Sequence, residues 1–277
     1  MQEVKKKIAV LIDGDNAESK LIEQILGEAG KHGKITIKKV YGDFSVSHIN
    51  KNWSKELCNS YAIRPMQKYS YTLGKNSTDT ELIIDAMDIL RSHLVEGFCI
   101  VSSDSDYTGL ANRIREEGRF IMGIGRSKTP SAFVNACEIF IFTEILELPE
   151  NGQPEKKLEP SENEQPEKKL EETPKQNKTT VQKPDAGVGK RIILTPISSL
   201  SGIKPIRQRD IDHAFNMAVN ETGLAIFPRF HDALKQSNPT FDYRNFGFNT
   251  FRKFCENLSP TYTISIDGAT MALKKSE

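Results

Sequence analysis

The sequence predicts an α/β domain with a mainly parallel sheet flanked by helices, followed by a small winged helix-turn-helix domain. Three observations support this prediction. Apolar runs alternate with helical patterns up to residue 146, which is typical of parallel strands joined by helices. A polar segment then interrupts the chain, and three helical patterns with a hairpin signal follow it. The length of 277 residues also favours two domains over one.

The first domain begins with a strand at residues 8–13, a continuous apolar run that ends in an acid, as expected of a strand buried on both faces. Apolar residues from Leu21 to Ala29 recur at helical spacing, and we expect Gly30 to end that helix. The remaining elements continue the alternation, with strands at 35–41, 98–101, 120–124 and 139–142, and helices at 53–61, 79–94, 107–117 and 131–137.

Residues 149–200 are predicted to be a flexible charged linker between a domain at 1–148 and a domain at 201–277. The octapeptide QPEKKLEP recurs there as QPEKKLEE, and so polar a segment cannot bury a core. The second domain has helical patterns at 209–220, 230–236 and 243–258, which carry most of its aromatic residues as core positions. Asp267-Gly268 then signals a hairpin between strands at 262–266 and 269–273.

Composition excludes several classes of protein. The apolar run near the N-terminus is too short for a signal peptide, and no stretch approaches the ~20 apolar residues of a membrane helix, so we expect a cytoplasmic protein without a membrane partner. The four cysteines form no CxxC pair, which favours reduced thiols over a zinc site or disulfides. The net charge of +1 does not indicate nucleic acid binding, although clustered acids would offset a basic binding face.

Acidic side chains follow two predicted strands and begin one helix. Asp13 and Asp15 follow the first strand, Asp104 and Asp106 follow the strand at 98–101, and Asp79 begins the most periodic helix. Carboxyl ends of parallel strands meet at one edge of the sheet, where ligands bind. Converging carboxylates repel unless a cation neutralises them, and oxygen ligands without histidine or cysteine favour Mg²⁺ or Mn²⁺. Such an ion activates water and stabilises phosphoryl oxygens.

Each acid also has a structural interpretation. Asp13 or Asp15 can cap the first helix, and Asp104 or Asp106 the helix at 107–117. Thr78 and Glu81 fit a capping box, and Asp85 shares a helix face with Glu81 and Asp88 that water can solvate. The recurrence of acids at several element ends favours a functional site over these separate roles.

These motifs resemble the NYN family of PIN-like metal-dependent ribonucleases, in particular its LabA-like branch. The matching segments are IDGDN (12–16), GKNSTDTELIIDAMDIL (74–90), SSDSDYTGLANRIREEGRFIMGIG (102–125) and TPSAFVNACEIFIF (129–142). The resemblance implies a PIN-like sheet with an acidic pocket that binds Mg²⁺ or Mn²⁺ and cleaves RNA. It also implies roles for individual residues: Asp13, Asp79, Asp104 and Asp106 as catalytic metal or water ligands, Asn16, Ser102 and Ser103 as orienting groups, and Asp85 as support. Asp15 stands where the family varies.

Three basic residues are candidates for binding the substrate, which we expect to be single-stranded RNA. Lys75 precedes the acidic helix, and Arg126 and Lys128 follow the strand at 120–124. All three are predicted to lie on one rim of the pocket, where they can contact phosphate. Ordinary surface solvation is their alternative role.

The second domain resembles the OST-HTH, or LOTUS, domain over residues 207–258, above all in FDYRNFGFNTFRKF. This resemblance implies binding of RNA or of a protein partner, and no catalysis. Candidate phosphate contacts in this segment are Arg229, Lys235, Arg244, Arg252 and Lys253.

The leading hypothesis is an endoribonuclease whose linker tethers a binding module to the catalytic domain, which raises the local substrate concentration. One alternative is a non-catalytic RNA-binding regulator that keeps the acidic pocket. A second is a haloacid-dehalogenase-like phosphohydrolase, because VLIDGD matches the start of that family's motif. Asn16-Ala17 stands where that family normally has threonine, which weighs against it.

Overall fold

The computed structural model describes residues 6–69, 77–147, 192–197, 203–267 and 270–276. The N-terminal region is an α/β domain with a six-stranded parallel sheet flanked by helices, as the sequence predicts. The C-terminal region is small and combines helices with short antiparallel sheets. Most of the predicted linker lies outside the described residues.

The six strands of the main sheet all run parallel, and their order reverses at its centre. The order is β3-β2-β1-β4-β5-β6. Chain connections leave β1 and β4 in opposite directions, so a crevice forms between their carboxyl ends, which is where open α/β sheets bind ligands. The strands are β1 (Lys7–Asp13), β2 (Lys34–Gly42), β3 (Arg64–Gln67), β4 (Gly97–Val101), β5 (Phe120–Gly125) and β6 (Ile139–Phe142).

Helices cover both faces of this sheet. Alternate residues of β1 point to opposite faces: Ala9 and Leu11 join one apolar cluster, and Ile8, Val10 and Ile12 join the other. Burial on both faces explains why β1 is a continuous apolar run. The helices are α1 (Ile22–His32), α2 (Ser47–Asn52), α3 (Lys55–Ser60), α4 (Ser77–Ser92), α5 (Thr108–Glu116), α6 (Ser131–Ala136) and α7 (Thr143–Leu146).

The predicted end of the first helix was wrong. Helix α1 continues through Gly30 to His32, and a Cβ atom on Gly30 would meet nothing within 4 Å. The chain turns at Gly33 instead, where a Cβ atom would lie 2.3 Å from the carbonyl oxygen of Lys6. Gly33 is therefore the glycine that the fold requires at this point.

Several elements of the first domain differ from the sequence prediction, and a short helix, α7, at Thr143–Leu146 was also not predicted. Strand β3 was not predicted, because Arg64–Gln67 is short, polar and contains a proline, features that are confined to edge strands. The helix predicted at 53–61 starts later, at Lys55, and a separate short helix, α2, precedes it. Trp53 lies between α2 and α3 and is 2% exposed.

The C-terminal region contains helices α8 (Gln208–Ala218), α9 (Phe227–Ser237) and α10 (Phe251–Glu256). The predicted hairpin is confirmed, since β10 (Tyr262–Asp267) pairs antiparallel with β11 (Thr270–Lys275). A third strand, β9 (Leu224–Ile226), joins β11 and was not predicted.

The single helix predicted at 243–258 was wrong. A 3₁₀ turn at Tyr243–Phe246 ends at Gly247, whose φ of 81° is left-handed, and α10 begins only at Phe251. Asp242 starts the turn because its carboxylate accepts the backbone N–H of Arg244 at 2.8 Å. Of the four aromatic residues predicted to be in the core of this region, Phe230, Phe246 and Phe254 are buried, whereas Phe251 is partly buried and packs against them.

Residues 192–197 belong structurally to the C-terminal region. Strand β7 (Ile193–Leu194) pairs with β8 (Ile206–Arg207), and the backbone N–H of Ile197 donates to the carbonyl of Asn245 at 2.8 Å.

Among the described residues, two polar contacts join the N-terminal and C-terminal regions. The Arg244 guanidinium lies 2.8 Å from the carboxylate of Glu28 on α1, a side chain only 8% exposed. The backbone N–H of Phe140, on the edge strand β6, donates to the carbonyl of Pro239 at 2.8 Å. The C-terminal region thus accepts a backbone hydrogen bond from an edge strand whose N–H groups could otherwise pair with another chain.

Within the described ranges, no helix combines the length and hydropathy needed to cross a bilayer. The four cysteines are free and buried.

Candidate metal centre

Three carboxylates converge at the carboxyl edge of the sheet. Asp79 lies in the first turn of α4, and Asp104 and Asp106 lie in the loop after β4. One carboxylate oxygen from each lies within 4.8 Å of the others. This acidic triad, Asp79, Asp104 and Asp106, is the group of side chains in the described part of the chain with the spacing of a metal site.

The triad fits a divalent cation by distance and by charge. Two oxygens on opposite sides of a Mg²⁺ ion are about 4.2 Å apart, so the carboxylates need to move by less than about 1 Å to coordinate one ion. No ion pair among the described residues includes Asp79 or Asp104. Burial, and then the negative charges of Asp13, Asp104 and Asp106, raise the pKa of Asp79. A bound cation would relieve that repulsion.

Asp13 lies behind the triad and is fully buried. Its carboxylate accepts hydrogen bonds from the Asn16 amide at 2.7 Å, the Ser102 hydroxyl at 2.8 Å and the backbone N–H of Asp15 at 3.2 Å. Burial raises the pKa of Asp13 against these hydrogen bonds, which lower it. Asn16 and Ser102 therefore orient Asp13, and Asp15 is exposed and contributes its backbone.

Tyr107 connects Asp13 to the triad. Its hydroxyl donates to Asp79 at 2.7 Å and lies close enough to Asp13 to feel its charge, and its side chain is completely buried. Burial, with the charges of Asp13 and Asp79, raises the pKa of Tyr107, so its hydroxyl stays a donor. Tyr107 lies within the matching segment at 102–125, and no spacing rule indicated its partners.

Asp104 also has the capping role considered from the sequence. Its carboxylate accepts the backbone N–H of Asp106 at 2.9 Å and begins the 3₁₀ turn at Ser105–Tyr107 that leads into α5. The cap uses one oxygen, Oδ1, so capping and coordination through the other oxygen are compatible. Asp13, by contrast, does not cap the first helix. Glu18 stands at the N-cap of a 3₁₀ turn at Ser19–Leu21, and Leu21 stands at the N-cap of α1, which follows directly.

Asp85 lies two turns along α4 and has a different environment. The Lys39 ammonium contacts both of its oxygens, at 2.9 and 2.6 Å, and the Tyr41 hydroxyl donates to it. The side chains of Lys39 and Asp85 are only 16% and 19% exposed. Asp85 thereby fixes α4 against β2, which positions Asp79 at the start of the same helix. Lys39 and Tyr41 were not predicted as partners, because their pairing with α4 is visible only in three dimensions.

The NYN domain matches residues 7–147, which is more than half of the chain. The chain belongs to the NYN domain family. This is a PIN-like nuclease family, and the match covers the acidic triad. It ends at residue 147, and the C-terminal region has no family assignment.

Comparison with solved structures gives a crystal structure of a protein of unknown function from Vibrio parahaemolyticus. The two chains are 20% identical, and the match covers 51% of this chain and 96% of the other, with a TM-score of 0.43. No curated protein matches the chain significantly.

The predicted substrate residues of the NYN domain have separate environments. The Arg126 guanidinium pairs with Glu18 at 3.1 Å, while its backbone N–H donates to the Ser103 hydroxyl at 2.9 Å. Ser103 therefore holds the loop after β5 beside the loop that carries Asp104. Lys128 is exposed. Lys75 lies outside the described residues.

Gly14 allows the loop after β1, which carries Asp13 and Asp15, to lie against the sheet. A Cβ atom there would be 2.6 Å from the carbonyl oxygen of Tyr41, the same oxygen that accepts the Gly14 N–H at 2.8 Å. The carbonyl of Gly14 accepts the indole N–H of Trp53 at 3.1 Å. Any larger residue at position 14 would push Asp13 away from the crevice.

Proposed function

We propose that the protein is a metal-dependent endoribonuclease, with Asp79, Asp104 and Asp106 as ligands of Mg²⁺ or Mn²⁺. The observation that carries this proposal is the convergence of three carboxylates at the point of strand-order reversal in a NYN domain. An all-oxygen donor set suits these hard cations better than zinc.

The residues of the chain hold this site before substrate arrives. Tyr107 fixes one oxygen of Asp79 and leaves the other available for coordination. Asp13, held by Asn16 and Ser102, adds negative charge behind the triad and, in the NYN pattern, is a further metal or water ligand. A divalent ion held there supplies a more acidic bound water and neutralises charge on phosphoryl oxygens.

The phosphohydrolase alternative requires Asp13 as an exposed nucleophile. Asp13 is instead fully buried and accepts three hydrogen bonds from its own loop and from Ser102. This environment does not favour nucleophilic attack, so we do not propose that activity.

We assign residues 1–148 to the catalytic domain of a LabA-like protein, 149–200 to a linker whose residues 192–197 pack on the C-terminal region, and 201–277 to an OST-HTH-like winged helix. Helices α8, α9 and α10 followed by the β10–β11 hairpin support the winged-helix assignment. In this proposal the second domain binds single-stranded RNA or a protein partner. Arg244 is an unsuitable phosphate contact because Asp242 and Glu28 already pair with it.

The test is incubation of the purified full chain with end-labelled single-stranded RNA in Mn²⁺, in Mg²⁺ and in EDTA. We expect internal cleavage only with a divalent ion, and none above background for Asp79→Asn. The variant Arg91→Gln, at the far end of α4, is the matched control and should cleave as wild type does. RNA binding without cleavage in either metal would instead identify a non-catalytic regulator.

A further inference from the structure

A crevice lies between the NYN domain and the C-terminal region. Its volume is about 870 Å³. Residues 127–129 and helix α6 line one wall, and the start of α8 with residues 237–241 lines the other. The Glu28–Arg244 ion pair and the hydrogen bond from Phe140 to Pro239 hold the two walls together.

The crevice is positively charged. Four of its lining residues are cationic, and one, Asp210, is acidic. Arg209 pairs with Asp210 at 3.5 Å, but its side chain is 76% exposed, so solvent screens that contact. The other three cations are exposed and take part in none of the ion pairs formed by the described residues: Lys128, Lys204 and Arg207.

The acidic triad does not line the crevice, but the loop that carries Asp104 adjoins the crevice wall at 127–129. Its wall at 127–129 follows Arg126, whose backbone N–H donates to Ser103, the residue before Asp104. A Cβ atom on Gly125 would be 2.4 Å from the carbonyl of Ser102, so the two loops lie in direct contact. A polyanion that lies along the cationic wall therefore reaches the carboxyl edge where the triad is located.

The chemistry of the lining favours the backbone of a nucleic acid over its bases. Grooves for single strands combine cations that follow the phosphates with exposed aromatic rings that stack on bases. The crevice has the cations, but its phenyl rings, Phe142 and Phe241, are buried, at 3% and 1% exposure, which leaves the imidazole of His213 as the exposed ring among its described lining residues. Binding in this crevice should thus depend strongly on salt and little on base sequence.

We propose that this crevice binds the phosphate backbone of the single-stranded RNA substrate and leads it to the acidic triad. The proposal rests on the proposed nuclease function. It assigns Lys204 and Arg207 of the C-terminal region, together with Lys128 of the NYN domain, to one continuous substrate path. The C-terminal region then forms part of the substrate site itself, in addition to any recruitment through its own surface.

The test measures binding of a fluorescein-labelled single-stranded RNA by anisotropy in EDTA, over a series of salt concentrations. The variant Lys128→Gln/Lys204→Gln/Arg207→Gln removes three charges from the crevice. We expect weaker binding, and a plot of log affinity against log salt that is flatter by about 2, because each lost phosphate contact on a single strand accounts for ~0.7.

The matched control is Lys7→Gln/Lys34→Gln/Arg91→Gln. It removes the same charge at the amino ends of β1 and β2 and at the end of α4, and it should leave the salt slope unchanged. If the triple crevice variant melts early, Lys128→Gln and Lys204→Gln are measured singly, and each should flatten the slope by ~0.7. An unchanged slope in folded variants would overturn the proposal and favour a protein ligand for the crevice.

Cleavage assays separate this proposal from the nuclease assignment. If wild type binds RNA through the crevice but does not cleave it in Mn²⁺, the substrate path stands and the nuclease function fails. If wild type cleaves and the crevice variant retains its affinity, the nuclease function stands and the path fails.

Discussion

Asp79 and Asp85 lie on the same helix, two turns apart, in opposite electrostatic environments. Asp85 has Lys39 and Tyr41 as partners, and its charge is neutralised within the fold. Asp79 has Asp104 and Asp106 as neighbours, and its only described hydrogen-bond donor is the neutral Tyr107.

The comparison separates a carboxylate that stabilises the fold from one that the fold must accommodate. Removing one partner of a partly buried ion pair costs stability because the other charge is left unpaired, whereas clustered like charges cost stability without a counterion. Opposite responses to the same Asp→Asn change are the expected consequence.

The largest expected effect is on catalysis at the triad. Asp104→Asn should lower the rate of RNA cleavage by about 10²-fold or more, because several kcal/mol of metal-dependent stabilisation are lost and ~1.4 kcal/mol is a factor of ten. Its melting temperature should stay the same or rise, since asparagine caps the Ser105–Tyr107 turn as well as aspartate does. Single-turnover cleavage and thermal melting on the same samples measure both.

Asp104→Ala is the matched variant that loses the charge and the cap together. It should cleave as poorly as Asp104→Asn and also unfold more easily, by about 1 kcal/mol. Wild-type cleavage by Asp104→Asn would mean that Asp104 is a cap alone.

The second effect is on stability. Asp85→Asn should lower the free energy of unfolding by about 1–3 kcal/mol, because it leaves the half-buried Lys39 ammonium without its charged partner. Urea denaturation of the wild type and the variant measures this difference. The double variant Lys39→Met/Asp85→Asn should recover part of the loss, and a single variant as stable as wild type would contradict the comparison.

The third effect is stabilisation by metal. Mn²⁺ at about ten times its Kd should raise the free energy of unfolding by about 1.4 kcal/mol in the wild type and in Asp85→Asn, and by much less in Asp79→Asn. Differential scanning fluorimetry during a Mn²⁺ titration, in buffer without Ca²⁺, measures this stabilisation in each protein. Equal shifts in all three proteins would place the ion elsewhere.

The smallest effect is the pH dependence of the metal-free protein. Burial and the neighbouring acids raise the pKa of Asp79 above its ordinary 3.8. Between pH 3.8 and the raised pKa, the folded state therefore binds more protons than the unfolded state. The contribution of Asp79 therefore becomes less favourable as the pH rises from 3.8 through the raised pKa.

Asp79→Asn removes this dependence and keeps an oxygen for the Tyr107 hydroxyl. Its gain in melting temperature over wild type, in EDTA, should be near zero at the acidic end of that interval and increase with pH. A gain in melting temperature that is constant with pH would show that burial and the neighbouring acids do not raise the pKa of Asp79.

Much of the fold and of the triad followed from the sequence because both depend on local patterns. Continuous apolar strands that end in acids predict a parallel sheet with carboxylates at one edge, and the periodic helix α4 places Asp79 there as well. The roles of Tyr107 and Lys39 did not follow, since each contacts its partner across sequence separations of 28 and 46 residues. No residue pattern encodes such a pairing.

The errors in secondary structure have the same origin. Gly30 is a helix terminator by propensity, yet packing of α1 on the sheet carries the helix past it to His32. Strand β3 forms because β2 offers its free edge, and its own sequence gives no strand signal. Gly247 divides the predicted helix at 243–258 because its backbone is left-handed, which helical spacing of aromatic residues does not reveal.

The contact between Trp53 and the Gly14 carbonyl gives the protein an internal optical probe. Trp53 is the single tryptophan of the chain, so all indole emission comes from one ring. That ring is buried, and its N–H donates a hydrogen bond to the carbonyl of Gly14, which stands between Asp13 and Asp15. Its emission wavelength and lifetime therefore report on the polarity and rigidity of the loop that follows β1. Cation binding at the acidic triad can thus be followed in stopped flow on the native chain, with no label attached.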